Sequence, residues 1–106
     1  MIPFLIDSQA IEVLERHPIG NGLSYTELAS TDDVDVGLLW LEPKSIRPKH
    51  TGTGSVHAWV AAGTATIDGT PGGQGSYYFL PPGERPEVRA GSDGYVVFCV
   101  SCGSSS

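Results

Sequence analysis

Residues 75–86 read GSYYFLPPGERP, and residues 47–69 read RPKHTGTGSVHAWVAAGTATIDG. In the first stretch an aromatic run, Tyr77 to Leu80, stops at Pro81-Pro82-Gly83, which is strand composition followed by turn composition. In the second, VHAWVAAGTATI is a long β-type run closed by Asp68-Gly69, a pair suited to a tight hairpin. Working outward, LSYTELAS (residues 23–30) alternates and stops at Asp32-Asp33, and VDVGLLWLE stops at Pro43. SIRPKH leads into a Gly- and Thr-rich loop, Gly69 to Gly73 reads as a turn, and RPEVRAG and YVVFCVSC read as two closing strands. The spacing predicts seven or eight strands about 8–12 residues apart, the pattern of a sandwich or barrel.

Only one stretch reads as helix. Ser8 is placed to cap SQAIEVLERH, which Pro18 and Gly20 would end. With 106 residues the chain is read as one domain, a barrel over about 22–102 followed by a frayed tail at 103–106. The 14 glycines and 8 prolines are scattered between apolar runs, which suits many short strands joined by turns. A net charge of −6 with no basic cluster leaves no electrostatic footprint for nucleic acid or an anionic membrane. No apolar run reaches the ~18 residues of a membrane span, and no secretory leader is visible, so a cytoplasmic protein is expected. Cys99 and Cys102 form a CxxC on a strand-like run. Residues three apart on a strand face opposite ways, so the pair reads as structural thiols and neither a disulfide nor half a zinc site.

Two segments resemble the conserved motifs of the cupin superfamily. In cupins the first motif runs H-x-H, a short loop, a carboxylate, six residues and a glycine. The second runs glycine, five residues, P-x-G, two residues and a histidine. Gly75, Pro81 and Gly83 fit the second frame without a gap, and Gly63 closes the first. The wording HTG…VHAWV with PPGE is similar to the small cupins related to dihydroxyacetophenone dioxygenase. The resemblance implies an all-β, jelly-roll barrel with a pocket inside, and it leaves open a wide range of chemistry.

Departures from the motifs shape the functional expectation. Pro48 and Pro86 stand where two metal histidines would be, and counting back from Gly63 puts Val56 at the carboxylate position. Only His50 remains of three imidazoles, so no metal cofactor is expected. Iron or zinc would need a ligand set rebuilt from His50, His57 and Glu84. By strand parity Pro48 and His50 face the pocket, while Arg47 and Lys49 face away. His57 faces the pocket only if the register slips by one residue. His50, with Glu84 and His57, is therefore the candidate acid/base set. Trp40, Val56, Tyr77 and Tyr78 are candidate substrate-binding walls, although only one of the two adjacent tyrosines can face inward. The expected function is metal-independent proton transfer on a small carbonyl compound: isomerisation, cyclisation or dehydration. The alternatives are a metal-dependent dioxygenase with an altered ligand set and a non-catalytic small-molecule binder. Trp59 shares a strand face with His57. If that face is outward, it is placed to cover a homodimer interface.

Overall fold

A computed structural model describes residues 4–103, apart from the side chain of Ser8. Of the tail expected at 103–106, residues 104–106 lie outside the described residues. A five-residue helix, α1 (Ser8–Glu12), is followed by ten strands. These are β1 (His17–Gly20), β2 (Leu23–Ser30), β3 (Val34–Leu41), β4 (Ile46–Arg47) and β5 (His50–Gly52). They continue with β6 (Ser55–Ile67), β7 (Thr70–Gly73), β8 (Tyr77–Leu80), β9 (Gly83–Arg85) and β10 (Val88–Cys102). All pairings are antiparallel. The main sheet runs β1-β2-β3-β10-β6-β7, with β4 added to β10 and β8 to β6; β5 and β9 form a separate two-stranded sheet.

The strands follow from local chemistry. Asp68 and Gly69 both adopt positive φ, 51° and 84°, and pair Ile67 with Thr70 across a two-residue loop. Their backbone twist matches that of the flanking strands, which is why Asp-Gly ends a run there. Along β10 the side chains of Tyr95, Val97, Cys99 and Ser101 alternate with those of Val96, Phe98 and Val100, as the two-residue period requires. Tyr95 and Val97 are 1% and 0% exposed and form the core with Leu23, Leu39, Leu41, Val60 and Val88.

Several sequence expectations need correction. The helix cap is Asp7, whose carboxylate accepts from the Ala10 N–H at 2.8 Å, and the helix stops after Glu12. Pro18 and Gly20, expected to end a longer helix, lie in β1, where proline is tolerated because the strand is at the sheet edge. Thr70–Gly73, read as a turn, is the return strand of the Asp-Gly hairpin. RPEVRAG and YVVFCVSC do not form two separate closing strands: Val88–Cys102 is one strand of 15 residues, whose register against β6 slips between Ala90 and Tyr95.

Trp40 is also displaced from its expected place at the pocket. It sits on the outer face of β3, opposite to Leu39 and Leu41. Its indole N–H donates to Thr26 Oγ1 at 2.9 Å, and the Arg16 guanidinium lies 3.5 Å from its ring centre. Thr26 Oγ1 in turn donates to the Glu15 carbonyl at 3.0 Å, so Trp40 fastens the segment before β1 onto the barrel wall.

Candidate active site in the barrel cavity

A cavity of about 280 Å³ opens inside the barrel. One wall consists of three cross-strand rows, each contributed by neighbouring strands in register. The deepest is Tyr25–Leu39–Val97, closing on the core. The next is Glu27–Gly37–Cys99–Ala58–Tyr78, and the third is Asp35–Ser101–Val56–Leu80. Gly37 is required in the middle row. A Cβ there would lie 2.1 Å from the Tyr25 hydroxyl and 2.6 Å from the Thr26 carbonyl oxygen. The missing side chain lets the Tyr25 ring lie across the strand and form part of the wall.

The opposite side carries the positively charged groups. His50 and Arg85 are directly paired across β5 and β9, so both side chains leave the small sheet on the same face and line the cavity. Their neighbours Thr51 and Glu84, also paired, face the other way. Glu84 is exposed and lies 3.8 Å from Lys49 Nζ, away from His50. Its expected role beside His50 is thus ruled out by parity.

Arg47 reaches the same cavity from β4, where it pairs with Val88. Strand parity assigned Arg47 outward and Pro48 inward. The structure reverses both, because β4 ends at Arg47 and β5 begins at His50, and the proline between them breaks the alternation. Arg47 Nη2 donates to His50 Nε2 at 3.4 Å, and His50 Nδ1–H donates to the Pro48 carbonyl at 3.3 Å. A guanidinium can only donate and a carbonyl can only accept, so these partners fix the tautomer with the proton on Nδ1.

Electrostatics act in the same direction. His50 is held below its usual pKa of 6.5 first by burial and then by Arg47, with the Pro48 carbonyl opposing and Arg85 adding to the shift. The imidazole is therefore neutral at pH 7, with its Nε2 lone pair turned to Arg47. Burial also pulls Arg47 down, against the influence of Cys99 and Tyr78. Cys99 is pushed up to about 11 by burial, so it is a neutral thiol and not a nucleophile at pH 7. Tyr25 rises to about 12, by burial first and then through Cys99, Asp35 and Glu27. Tyr78 is raised further, mainly by burial.

Arg85 is 1% exposed. Its Nη1 donates to the carbonyls of Leu80, at 3.2 Å, and Pro81, and its Nη2 to that of Gly54, which ties together the ends of β8 and the approach to β6. Its Nε has no partner among the described residues.

The other imidazole candidate faces away. Val56 is buried in the cavity wall, so His57 lies on the outer face, where Nδ1 shares a 2.7 Å hydrogen bond with the Tyr77 hydroxyl. Val56 and not His57 faces the cavity, and the catalytic assignment of His57 and the substrate-binding assignment of Tyr77 are corrected accordingly. His57, Trp59, Tyr77 and Phe79 form an exposed ring cluster, with Trp59 also against Phe98 at 6.0 Å. Of the residues named from the sequence, His50, Val56 and Tyr78 line the cavity, while Arg47, Arg85, Tyr25 and Cys99 were missed. Counting two residues from Gly83 would have paired Arg85 with His50, had the β5–β9 register been known.

No family model and no curated protein sequence matches the chain. Solved structures do. The chain is similar to an RmlC-like cupin from Shewanella frigidimarina, with a TM-score of 0.76 at 20% identity over 88% of this chain and 86% of that one. It is similar to KdgF from Halomonas sp., with a TM-score of 0.75 at 13% identity over 95% and 94%. It is also similar to the cupin domain of Cnp3 from Schizosaccharomyces pombe, with a TM-score of 0.75 at 10% identity over 89% and 72%.

The fold is a cupin fold. Cupin motifs usually carry a histidine-rich metal centre, and the residues here do not fit one. Pro48 is exposed and outside the cavity, Pro86 lines it without a donor atom, and Val56 fills the carboxylate position. His50, the remaining imidazole, faces two guanidiniums, which repel a cation. Among the described residues no three His, Cys, Asp or Glu side chains converge. Nor is any described helix long and apolar enough to cross a membrane.

Proposed function

We propose that this cupin cavity is the active site of a metal-independent proton-transfer enzyme acting on a small carbonyl compound, with His50 as the base. The observation that carries the reading is the state of His50: a neutral imidazole, protonated on Nδ1, with Nε2 in an otherwise largely apolar cavity. A base of this kind is free to accept a proton near neutral pH without first losing one. Leu39, Val56, Ala58, Leu80 and Val88 supply the apolar part of the wall, and at about 280 Å³ the space admits only a small substrate. His50 Nε2 takes the proton next to the carbonyl, and Arg85 and Arg47 supply positive charge where negative charge develops on the carbonyl oxygen. The same imidazole returns the proton at the original or a neighbouring carbon, which gives exchange or isomerisation.

The test is deuterium incorporation next to the carbonyl of small ketones, aldehydes and keto acids in D₂O, followed by NMR. At least one compound should exchange faster with the protein, and His50→Gln should slow that exchange by about 10²–10⁴-fold. Full activity in His50→Gln contradicts the assignment. Ligand binding with no exchange of any compound leaves a binding module and removes the catalytic reading.

A further inference from the structure

We infer that the ligand of this cavity is a small organic carboxylate, and that its carboxylate draws Arg47 away from His50 and so uncovers the base. The inference deepens the proposed function by naming the substrate class, and it rests on that reading only in its second half.

The starting point is positive charge that lacks an ion-pair partner. Arg47 and Arg85 line one cavity, and among the described residues neither forms an ion pair with a carboxylate. A buried charge is costly unless it is paired. Arg85 is partly compensated by three backbone carbonyls, but its Nε has no partner. Among the described residues Arg47 has one long contact, 3.4 Å to the neutral Nε2 of His50, which supplies no charge. Arg47 therefore has a whole guanidinium fork to spare, where Arg85 has a single N–H.

The two carboxylates that do line the cavity are placed elsewhere. Glu27 and Asp35 come from β2 and β3, and they act on the Tyr25 hydroxyl, whereas the groups acting on Arg47 are Cys99, Tyr78 and Arg85. Asp35 also accepts from Ser30 Oγ at its own strand end. An anionic ligand thus meets positive charge on the β4–β5–β9 side and negative charge near Tyr25, which fixes its orientation with the carboxylate toward Arg47. The apolar rows between them suit a short hydrocarbon or ring as the remainder of the ligand.

A carboxylate fits better than a more highly charged anion. Both Nη atoms of Arg85 are already committed to carbonyls, which leaves one free fork, and an Arg–carboxylate pair is a two-donor, two-acceptor match. The net charge of −6 repels a dianion approaching from solution more than a monoanion. Once the carboxylate accepts from Arg47 at the shorter distances of charge-assisted bonds, the weak Arg47–His50 contact is lost and Nε2 is open. Substrate binding and exposure of the base are then one event.

Isothermal titration calorimetry with acetate, propionate and benzoate against acetamide, propionamide and benzamide tests this on the intact protein. At least one acid should bind at least about tenfold more tightly than its amide. In Arg47→Gln, shown to fold by its melting curve, that preference should fall below about threefold, while Arg47→Lys should keep part of it. The inference is overturned if no acid binds below about 10 mM, if acids and amides bind alike, or if the preference survives Arg47→Gln. Should Arg47→Gln not fold, the acid-to-amide ratio of the unaltered protein decides alone. Acid preference without His50-dependent exchange upholds the carboxylate site and removes the catalytic reading. Exchange on neutral carbonyl compounds without acid preference does the reverse.

Discussion

Replacing Gly37 by alanine tests how the cavity wall is built. A Cβ at this position would stand 2.1 Å from the Tyr25 hydroxyl oxygen, 2.2 Å from the ring carbon that bears it, and 2.6 Å from the Thr26 carbonyl oxygen. The first two contacts are with a side chain, and the ring can rotate to relieve them by moving into the cavity. The third is with backbone on the neighbouring strand, so relief requires β2 and β3 to separate locally. Overpacking of this kind costs about 1–3 kcal/mol, and a backbone obstacle places Gly37→Ala at the upper end, roughly 2–3 kcal/mol. For a domain of this size each kcal/mol lowers the melting temperature by about 4–8 °C, so a loss on the order of 10 °C is expected. Thermal and urea unfolding followed by circular dichroism measure it. Because part of the clash belongs to the ring, Tyr25→Ala should cost less in the Gly37→Ala background than alone, a coupling that a double-mutant cycle reads directly. A Gly37→Ala protein melting within about 2 °C of the unaltered one, well inside the shift expected for even 1 kcal/mol, would refute the placement of Tyr25 over the middle row.

Other outcomes follow from the same coordinates. Trp59, Tyr77 and Phe79 are 42%, 49% and 47% exposed on one outer face, so the protein should be a dimer at micromolar concentration that Trp59→Glu converts to monomer in light scattering. A monomeric unaltered protein contradicts this. Folded Cys99 and Tyr25 hold their protons to about 11 and about 12, while in the unfolded chain they release them from 9.0 and 10.0. Raised folded values give stability that is complete below about pH 9 and lost as pH rises toward 12. The urea midpoint should accordingly fall between about pH 8 and pH 10.5, and fall less in Cys99→Ala; an unchanged midpoint contradicts the burial of both groups. Elemental analysis of the purified protein should find no stoichiometric iron, zinc or nickel, since Pro48, Val56 and Pro86 offer no donor side chain. One metal per chain that disappears in His50→Ala would show a ligand set built on His50 from donors other than these three positions.

The fold was legible where turn chemistry is strict. LSYTELAS coincides with β2, and Asp68-Gly69 marks its hairpin, because those strands end at residues that few other conformations favour. It was less legible where a strand bends without breaking. AGSDG reads as a turn between two strands, yet β10 continues through it by slipping register against β6. The site divides similarly. His50 and Val56 were placed from their motif positions, and Tyr78 was one of two adjacent tyrosines of which a strand turns only one inward. Arg47 could not be placed, since counting across Pro48 assumes a continuity that the proline removes. Arg85 depends on which residue of β9 faces His50, a long-range pairing that no local pattern encodes. Cys99 was read from its CxxC spacing, whereas its environment comes from the strands on either side, through Gly37 and Ala58.

The most direct test of the account is the titration of His50 by ¹⁵N-edited NMR of the histidine rings, assigned with His50→Gln. The account predicts an imidazole that is neutral at pH 7, carries its proton on Nδ1, and titrates below 6.5 because burial and Arg47 oppose its charge. In Arg47→Gln the midpoint should move upward, since that variant removes a neighbouring cation. A depressed value also predicts that His50 contributes to a loss of stability as pH falls below 6.5, because the unfolded chain takes up the proton first. A midpoint at or above 6.5, a proton on Nε2, or a titration indifferent to Arg47 would contradict the account.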